Sequence, residues 1–270
     1  MAGSYPPLQI SEPGLHWASF AGITLAWALV WKAAGVTLCQ RARWLGQLKE
    51  KVDKPENLAK IPKNVAALLH AVFGTFTALI WLPSLLQEDA VDRYNCAATW
   101  HSWRQQMPPA SFAGYIVQDL LTDVSLARRK LVPIPHDMLA HHMVFLGVMV
   151  MQLLFEKGCY IYYWLILTEG STIPLLLRWF AIAVNAPKAL VSRLNLLFAV
   201  TFFVLRVVVY GVGLFQFLRD DLHVARWEHA SSIYQVTPML VAAGYVLNLI
   251  WFQMIASKAL RPAKTKKGVD

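Results

Sequence analysis

The sequence predicts an all-α fold, a polytopic transmembrane bundle of about seven spans, on three observations. Hydrophobic residues make up 57% of the chain and charged residues only 15%, where a soluble domain carries roughly 25% charge. The apolar residues gather into separate long runs, as a hydrocarbon core about 30 Å thick demands of each spanning helix. Lys and Arg concentrate in alternate connections between those runs, as expected of a chain that threads a bilayer back and forth.

The first run, residues 15–39, has no basic segment before it and no small-residue cleavage site after it, so it reads as a retained span rather than a signal peptide. The second covers 64–86. The third, 111–127, is short and holds two carboxylates, Asp119 and Asp123. The fourth covers 138–155. The fifth, 159–183, contains Glu169, Gly170 and Pro174 and is expected to kink or break there. The sixth and seventh cover 194–218 and 235–256. This divides the chain into an N-terminal span with a basic loop (1–63), a main transmembrane domain (64–256) and a basic tail (257–270).

Orientation follows from the cations. Arg41, Arg43, Lys49, Lys51, Lys54, Lys60 and Lys63 fall in the first loop, Arg128, Arg129 and Lys130 in the third, and Lys188 and Arg193 in the fifth. Lys258, Arg261, Lys264, Lys266 and Lys267 fall in the tail, which brings that side to seventeen. The opposite side holds five: Arg93, Arg104, Lys157, Arg219 and Arg226. The N-terminus is therefore expected to be lumenal or outside and the tail cytosolic. The net charge of +9 is then accounted for by topology and anionic headgroups, and no nucleic-acid motif accompanies it. Trp100 and Trp103 fall in a lumenal loop, where tryptophans anchor at the interface. The same orientation puts Cys96 and Cys159 on the oxidising side of an endoplasmic-reticulum membrane, which makes them a disulfide candidate.

A charge at the centre of a membrane helix costs about 2.5–3.5 kcal/mol, so intramembrane charges mark partners or function. Lys32 can snorkel to the interface. Asp119 and Asp123, four apart, share a helix face and need cations or histidines opposite them. His141 and His142 enter the fourth span at the same end, Arg178 lies about one turn from that end of the fifth, and Asn195 opens the sixth. Those six residues are expected at one depth, with Glu169 and Arg206 deeper. Imidazole near neutral pH can be a general base, a nucleophile or a metal ligand. Asp137, four residues before His141, could orient its ring. An acyl transfer needs a base or nucleophile, support for an oxyanion and a dry slot for the chain. His141 or His142 could supply the first, and Arg178 or Asn195 the second. Interhelical hydrogen bonding is the competing role for the pair. No metal site is expected, because a histidine-rich di-iron centre needs more histidines on one face than His136, His141 and His142, and no zinc spacing occurs.

Two other seven-span classes do not fit. The last span has no lysine for a retinal Schiff base, the third span ends Leu-Ala-Arg-Arg-Lys rather than Asp-Arg-Tyr, and the seventh has no Asn-Pro-x-x-Tyr.

At these residues the chain resembles the TLC-domain family, which includes ceramide synthases, translocating-chain-associating membrane proteins and a ceroid-lipofuscinosis protein. Four pieces occur in the family's order. They are Gly114-Tyr115 with Asp119 following, Met138-Leu-Ala-His141-His142, Leu167-Thr-Glu169-Gly-Ser171-Thr172 leading to Leu177-Arg178-Trp179-Phe180, and Asn195 followed by Phe202-Phe203-Val-Leu-Arg206. The likeness is greatest to the smaller TLC-domain proteins. It implies a lipid-handling membrane protein of the endoplasmic reticulum, or alternatively the plasma membrane, with a helical bundle around an acyl-chain cavity. In ceramide synthases the histidine pair serves N-acyl transfer from acyl-CoA to a sphingoid base. By resemblance, His141, His142, Asp119, Asp123 and Arg178 are catalytic candidates, and Tyr115, Glu169, Asn195 and Arg206 substrate-binding ones. Ceramide synthases also carry a His-Asp-x-x-Asp stretch where this chain reads Leu-Thr-Glu-Gly-Ser-Thr. Two functions therefore stand open: an acyl-CoA-dependent acyltransferase, with acyl-CoA as co-substrate and no bound cofactor, and a non-catalytic protein that binds lipids, regulates their composition or escorts cargo. Fatty acyl or sphingoid lipids are the expected partners under both, and self-association is compatible with either.

Overall fold

The computed structural model describes residues 13–41, 52, 54–88, 93, 103–134, 136–155, 158, 160–225 and 236–259. Among them there is no strand. The helices are α1 (Pro13–Arg41), α2 (Pro55–Leu85), α3 (Trp103–Arg128) and α4 (His136–Phe155). Next come α5 (Ile161–Leu167 and Thr172–Ala183, joined by a 3₁₀ turn at Thr168–Ser171) and α6 (Lys188–Phe202 and Tyr210–Ala225, joined by a π-helical stretch at Phe203–Val209). The last is α7 (Val236–Ala259). Among the described residues, five segments are long and apolar enough to cross a membrane: Phe20–Gln40, Pro55–Leu85, Ile161–Ala183, Lys188–Asp220 and Val236–Lys258. Cys96, Cys159, Trp100 and the tail beyond Ala259 lie outside the described residues.

The helix ends differ from the sequence expectation at two informative places. The second span was expected from residue 64, yet α2 starts at Pro55. Proline suits the first helical turn because its missing N–H has no intrahelical partner there anyway. Lys60 and Lys63 consequently lie on α2 rather than in a loop. The third span was expected from residue 111, but α3 starts at Trp103 and includes Pro108 and Pro109. The Pro108 carbonyl accepts a 2.8 Å hydrogen bond from the Tyr162 hydroxyl of α5, which ties that first part of α3 to the bundle.

Packing closes α2 through α7 into a ring. The neighbours run α2, α3, α4, α7, α6, α5 and back to α2, while α1 lies outside against α3 and α2. The inner stripe of α1 is Phe20, Thr24, Ala28, Trp31, Gly35 and Cys39, a three-to-four-residue spacing that keeps one face towards its neighbours. Trp31 Nε1 donates to the Ser111 carbonyl at 3.1 Å. Gly114 lets α3 approach α1, since a Cβ there would sit 2.6 Å from the Thr24 carbonyl oxygen and 2.8 Å from the Ala28 nitrogen. Close approach at small residues is the usual way helices associate where lipid supplies no hydrophobic drive. Gly213 plays the same part against Trp164, with a would-be Cβ 2.6 Å from its ring. Leu25, Ile80, Leu196, Phe215 and Met239 point outward and exposed, as residues facing hydrocarbon do.

Both irregular stretches fall where α5 meets α6. Pro174 has no N–H to offer the Gly170 carbonyl, so the regular ladder is interrupted there. The chain resolves this by a 3₁₀ turn within a continuous rod rather than by a break. The π stretch opposite carries Arg206; such stretches tend to mark functional sites.

At the other end, Arg93 follows α2 and reaches Asp220 of α6 with two hydrogen bonds, 3.0 Å from Nε and 2.9 Å from Nη2. The Tyr160 hydroxyl donates to the same carboxylate oxygen at 2.9 Å, and Arg93 Nη1 donates to the Glu88 carbonyl at 2.8 Å. Arg93 and Asp220 are both buried, so this clamp fastens the connection after α2 to α5 and α6.

Candidate functional site

The ring lines an open cavity of about 370 Å³, within the about 300–1,000 Å³ usual for small-molecule sites. Its walls come from six helices: Lys63, Asn64 and Ala67 of α2, Phe112, Tyr115 and Asp119 of α3, and Asp137, Met138, His141 and His142 of α4. Glu169, Ser171, Thr172, Leu175 and Leu176 belong to α5, Phe198, Phe202 and Arg206 to α6, and Trp251, Met254, Ile255 and Lys258 to α7. Most of this wall is apolar. The polar groups fall into two layers.

The first layer is built around Lys63. Its ammonium lies 3.1 Å from Asp119 Oδ2 and 2.5 Å from Asp123 Oδ1. The four-residue spacing of the carboxylates on α3 lets one cation from α2 bridge both. His142 Nδ1 is 3.7 Å from Asp119 Oδ2, too long for a direct hydrogen bond. Asp119 is 2% exposed, so an unpaired carboxylate there would be costly, and Lys63 supplies the compensation.

The second layer is deeper, at the irregular turns of α5 and α6. Arg206 Nε donates to Ser171 Oγ at 2.8 Å. Its Nη2 donates to Glu169 Oε1 at 3.0 Å and to Thr172 Oγ1 at 3.1 Å. Its Nη1 reaches Asn248 Oδ1 of α7 at 3.4 Å. Thr172 in turn donates to Glu169 Oε2 at 2.8 Å, and Asn248 Nδ2 donates to the Gly244 carbonyl at 3.0 Å. The guanidinium fork of α6 thus joins α5 and α7, and both oxygens of Glu169 are engaged.

The histidines differ. His141 packs between Phe145 and Trp251, with ring centroids 4.5 Å and 5.1 Å away, and its ring centre is 5.8 Å from that of His142. Neither His141 Nδ1, His142 Nδ1 nor Asp119 Oδ1 has a hydrogen-bond partner among the described residues, although all three atoms are buried. Asp137 lines the same cavity, yet makes no hydrogen bond to His141 Nδ1; the aromatic rings hold that imidazole instead. An unpartnered buried polar atom costs about 1–3 kcal/mol. Three such atoms, on α3 and α4, belong to residues that line this cavity.

The structure gathers His141, His142, Asp119, Tyr115, Glu169 and Arg206 around one cavity, with Asp123 held beside it by Lys63. It does not bring Arg178 and Asn195 there. Those two hydrogen-bond to each other, from Arg178 Nε to Asn195 Oδ1, and neither lines the cavity. The sequence marks neither Lys63, Asn248 nor Trp251 as a site residue, and it shows Ser171 only as part of a motif. Lys63 counts as a loop cation while α2 is taken to begin at residue 64, and it is a helix residue once α2 begins at Pro55. Asn248 is one uncharged residue in an apolar run and carries no pattern that marks it. His70 of α2 is 1% exposed. It stacks on Tyr115 at 4.1 Å with planes 6° apart and on Phe112 at 5.4 Å, and so backs two residues of the cavity wall. Among the described residues no group of three or more His, Cys, Asp or Glu side chains could hold a metal ion.

A family model for the TLC domain matches residues 60–257, more than half of the chain and all six helices of the ring apart from the first turns of α2 and the last residues of α7. Comparison with curated proteins gave no match, and comparison with solved structures gave none either.

Proposed function

The chain belongs to the TLC-domain family, and from that premise we propose that this membrane protein acts on lipids by acyl transfer inside the ring of α2–α7. Seven spans are proposed, with α3 and α4 crossing beside the five apolar segments, the N-terminus lumenal and the basic tail cytosolic, in the endoplasmic reticulum. The observation that carries the chemistry is the unpartnered histidine pair facing a cavity with largely apolar walls.

The cavity's aliphatic and aromatic wall takes an acyl chain, and its thioester carbonyl lies against α4. An amine of a lipid acceptor attacks that carbonyl, a C–N bond forms and the C–S bond to CoA breaks. The proton leaving the amine passes to His141 or His142 and from there to the departing thiolate. Lys63 is the cation beside the pair, and in a water-poor site its charge counts for more towards an oxyanion than it would in water. Asp119 holds Lys63 in place and lies next to His142.

A second reading has its own support. The stretch 167–172, which departs from the ceramide-synthase pattern, has its one carboxylate, Glu169, tied to Arg206 and Thr172. In that reading the same cavity binds a lipid without reaction. Product analysis separates the two: purified protein is incubated with acyl-CoA and amine acceptors, beside His141→Ala and His142→Ala. Acyl transfer predicts a new amide lipid from wild type, reduced about 10²–10⁴-fold in at least one variant, the usual range for acid–base catalysis. Equal products from wild type and both variants would favour the non-catalytic reading.

A further inference from the structure

Arg178 and Asn195 remain outside the cavity, and their placement asks for a ligand of its own. They sit on the outer side of the α5–α6 hairpin, Arg178 half-buried and Asn195 exposed. The same two helices present Leu175, Leu176 and Phe198 to the cavity on their inner side. A lipid-facing arginine is costly unless its charge reaches the headgroup layer. Arg178 is five residues from the end of α5 at Ala183, about 8 Å along the helix, which a snorkelling arginine spans.

Asn195 Oδ1 accepts from Nε of Arg178. That bond fixes the plane of the guanidinium and leaves Nη1 and Nη2, which have no hydrogen-bond partner among the described residues. Two parallel N–H donors in a fixed fork match the oxygens of a phosphate. Lys188, exposed at the start of α6, precedes Asn195 by seven residues. It therefore lies on the same stripe about two turns nearer the interface, where its ammonium adds charge beside the same headgroup.

We infer that Arg178, held by Asn195 and assisted by Lys188, forms a binding site on the membrane-facing side of α5–α6 for the phosphate of an anionic phospholipid. The acyl chains of that lipid run along the exposed apolar face of α6 at Leu196 and Val200. The site is separate from the cavity, and does not depend on whether the cavity performs chemistry.

The test uses the full-length protein in nanodiscs of phosphatidylcholine with a minor fraction of phosphatidylglycerol, followed by native mass spectrometry of the released protein. Wild type is expected to retain phosphatidylglycerol in preference to phosphatidylcholine, and inorganic phosphate is not expected to displace it. Arg178→Gln should weaken that retention about tenfold, the effect of losing about 1.4 kcal/mol, and Arg178→Lys, which keeps charge but loses the fork, should weaken it less. Arg193→Gln, at an exposed cation of the neighbouring α6, should change it little. Equal losses from Arg178→Gln and Arg193→Gln would overturn the site in favour of diffuse electrostatic attraction, as would unchanged retention in Arg178→Gln. Should Arg178→Gln fail to fold, Asn195→Ala decides: loss of preference supports the site, and wild-type retention overturns it.

Discussion

Replacing Glu169 by Ala removes the carboxylate that faces the Arg206 guanidinium at 3.0 Å in the middle of the ring. Arg206 keeps Ser171 Oγ at 2.8 Å, Thr172 Oγ1 at 3.1 Å and a longer contact to Asn248, but no counter-charge among these partners. Thr172 loses its acceptor as well. Breaking one partner of a buried ion pair costs about 3–5 kcal/mol, because the remaining charge stays desolvated. The three surviving hydrogen-bond partners of Arg206 offset part of that, so the lower half of the range is expected. The two irregular turns of α5 and α6 meet at this pair, and the loss should appear as a lower midpoint for unfolding of the purified protein in detergent. Arg206→Met should cost a similar amount by stranding Glu169. The double variant Glu169→Leu, Arg206→Met should recover most of the loss, since a matched apolar pair of similar volume is often neutral or better than a buried ion pair. A Glu169→Ala protein as stable as wild type would refute the argument. So would a double variant whose loss equals the sum of the two single losses, because that would mean the groups do not interact.

Three further outcomes follow from the packing. Gly114→Val should separate α1 from α3, because its Cβ would meet backbone atoms of Thr24 and Ala28 that cannot turn aside; a stability loss of about 2 kcal/mol or more and faster amide exchange in α1 would show it. Arg93→Met should strand the buried Asp220 carboxylate with the Tyr160 hydroxyl and Arg219, at about 3 kcal/mol, whereas Arg219→Met, on a side chain 61% exposed, should be close to neutral in the same unfolding assay. Trp31→Phe keeps the aromatic packing on His70 but loses the bond to the Ser111 carbonyl, for about 0.5–1.5 kcal/mol, measurable as a small shift in the same midpoint.

The sequence shows the helical rods and most of the cavity polar residues for the same reason. Charges are so expensive in an apolar run that Asp119, Asp123, His141, His142, Glu169 and Arg206 stand out against it, and depth follows from counting along a span. Helix faces do not follow from counting, and the errors come from there. Arg178 and Asn195 lie at a fitting depth but on the outer face of α5 and α6. The cation that Asp119 and Asp123 require is present in the sequence, yet Lys63 counts as a topology charge as long as α2 is taken to begin after it. Pro55 is what moves that boundary, and a proline at a helix start looks the same as a proline in a loop until the helix is seen. The closed ring of α2–α7, and the position of α1 outside it, depend on helix order in space, about which apolar periodicity says nothing.

In the proposed function a lipid chain enters the cavity beside the histidine pair rather than only coating the outer surface. The most direct measurement is photolabelling of the full-length protein in bilayers with an acyl-CoA that carries a diazirine near the chain end, read by mass spectrometry of the modified peptides. The cavity account predicts label on inward residues such as Leu176, Phe202, Trp251 and Met254, competed away by unlabelled acyl-CoA. Label confined to outward residues such as Leu196, Phe215 and Met239, with no competition, would contradict it.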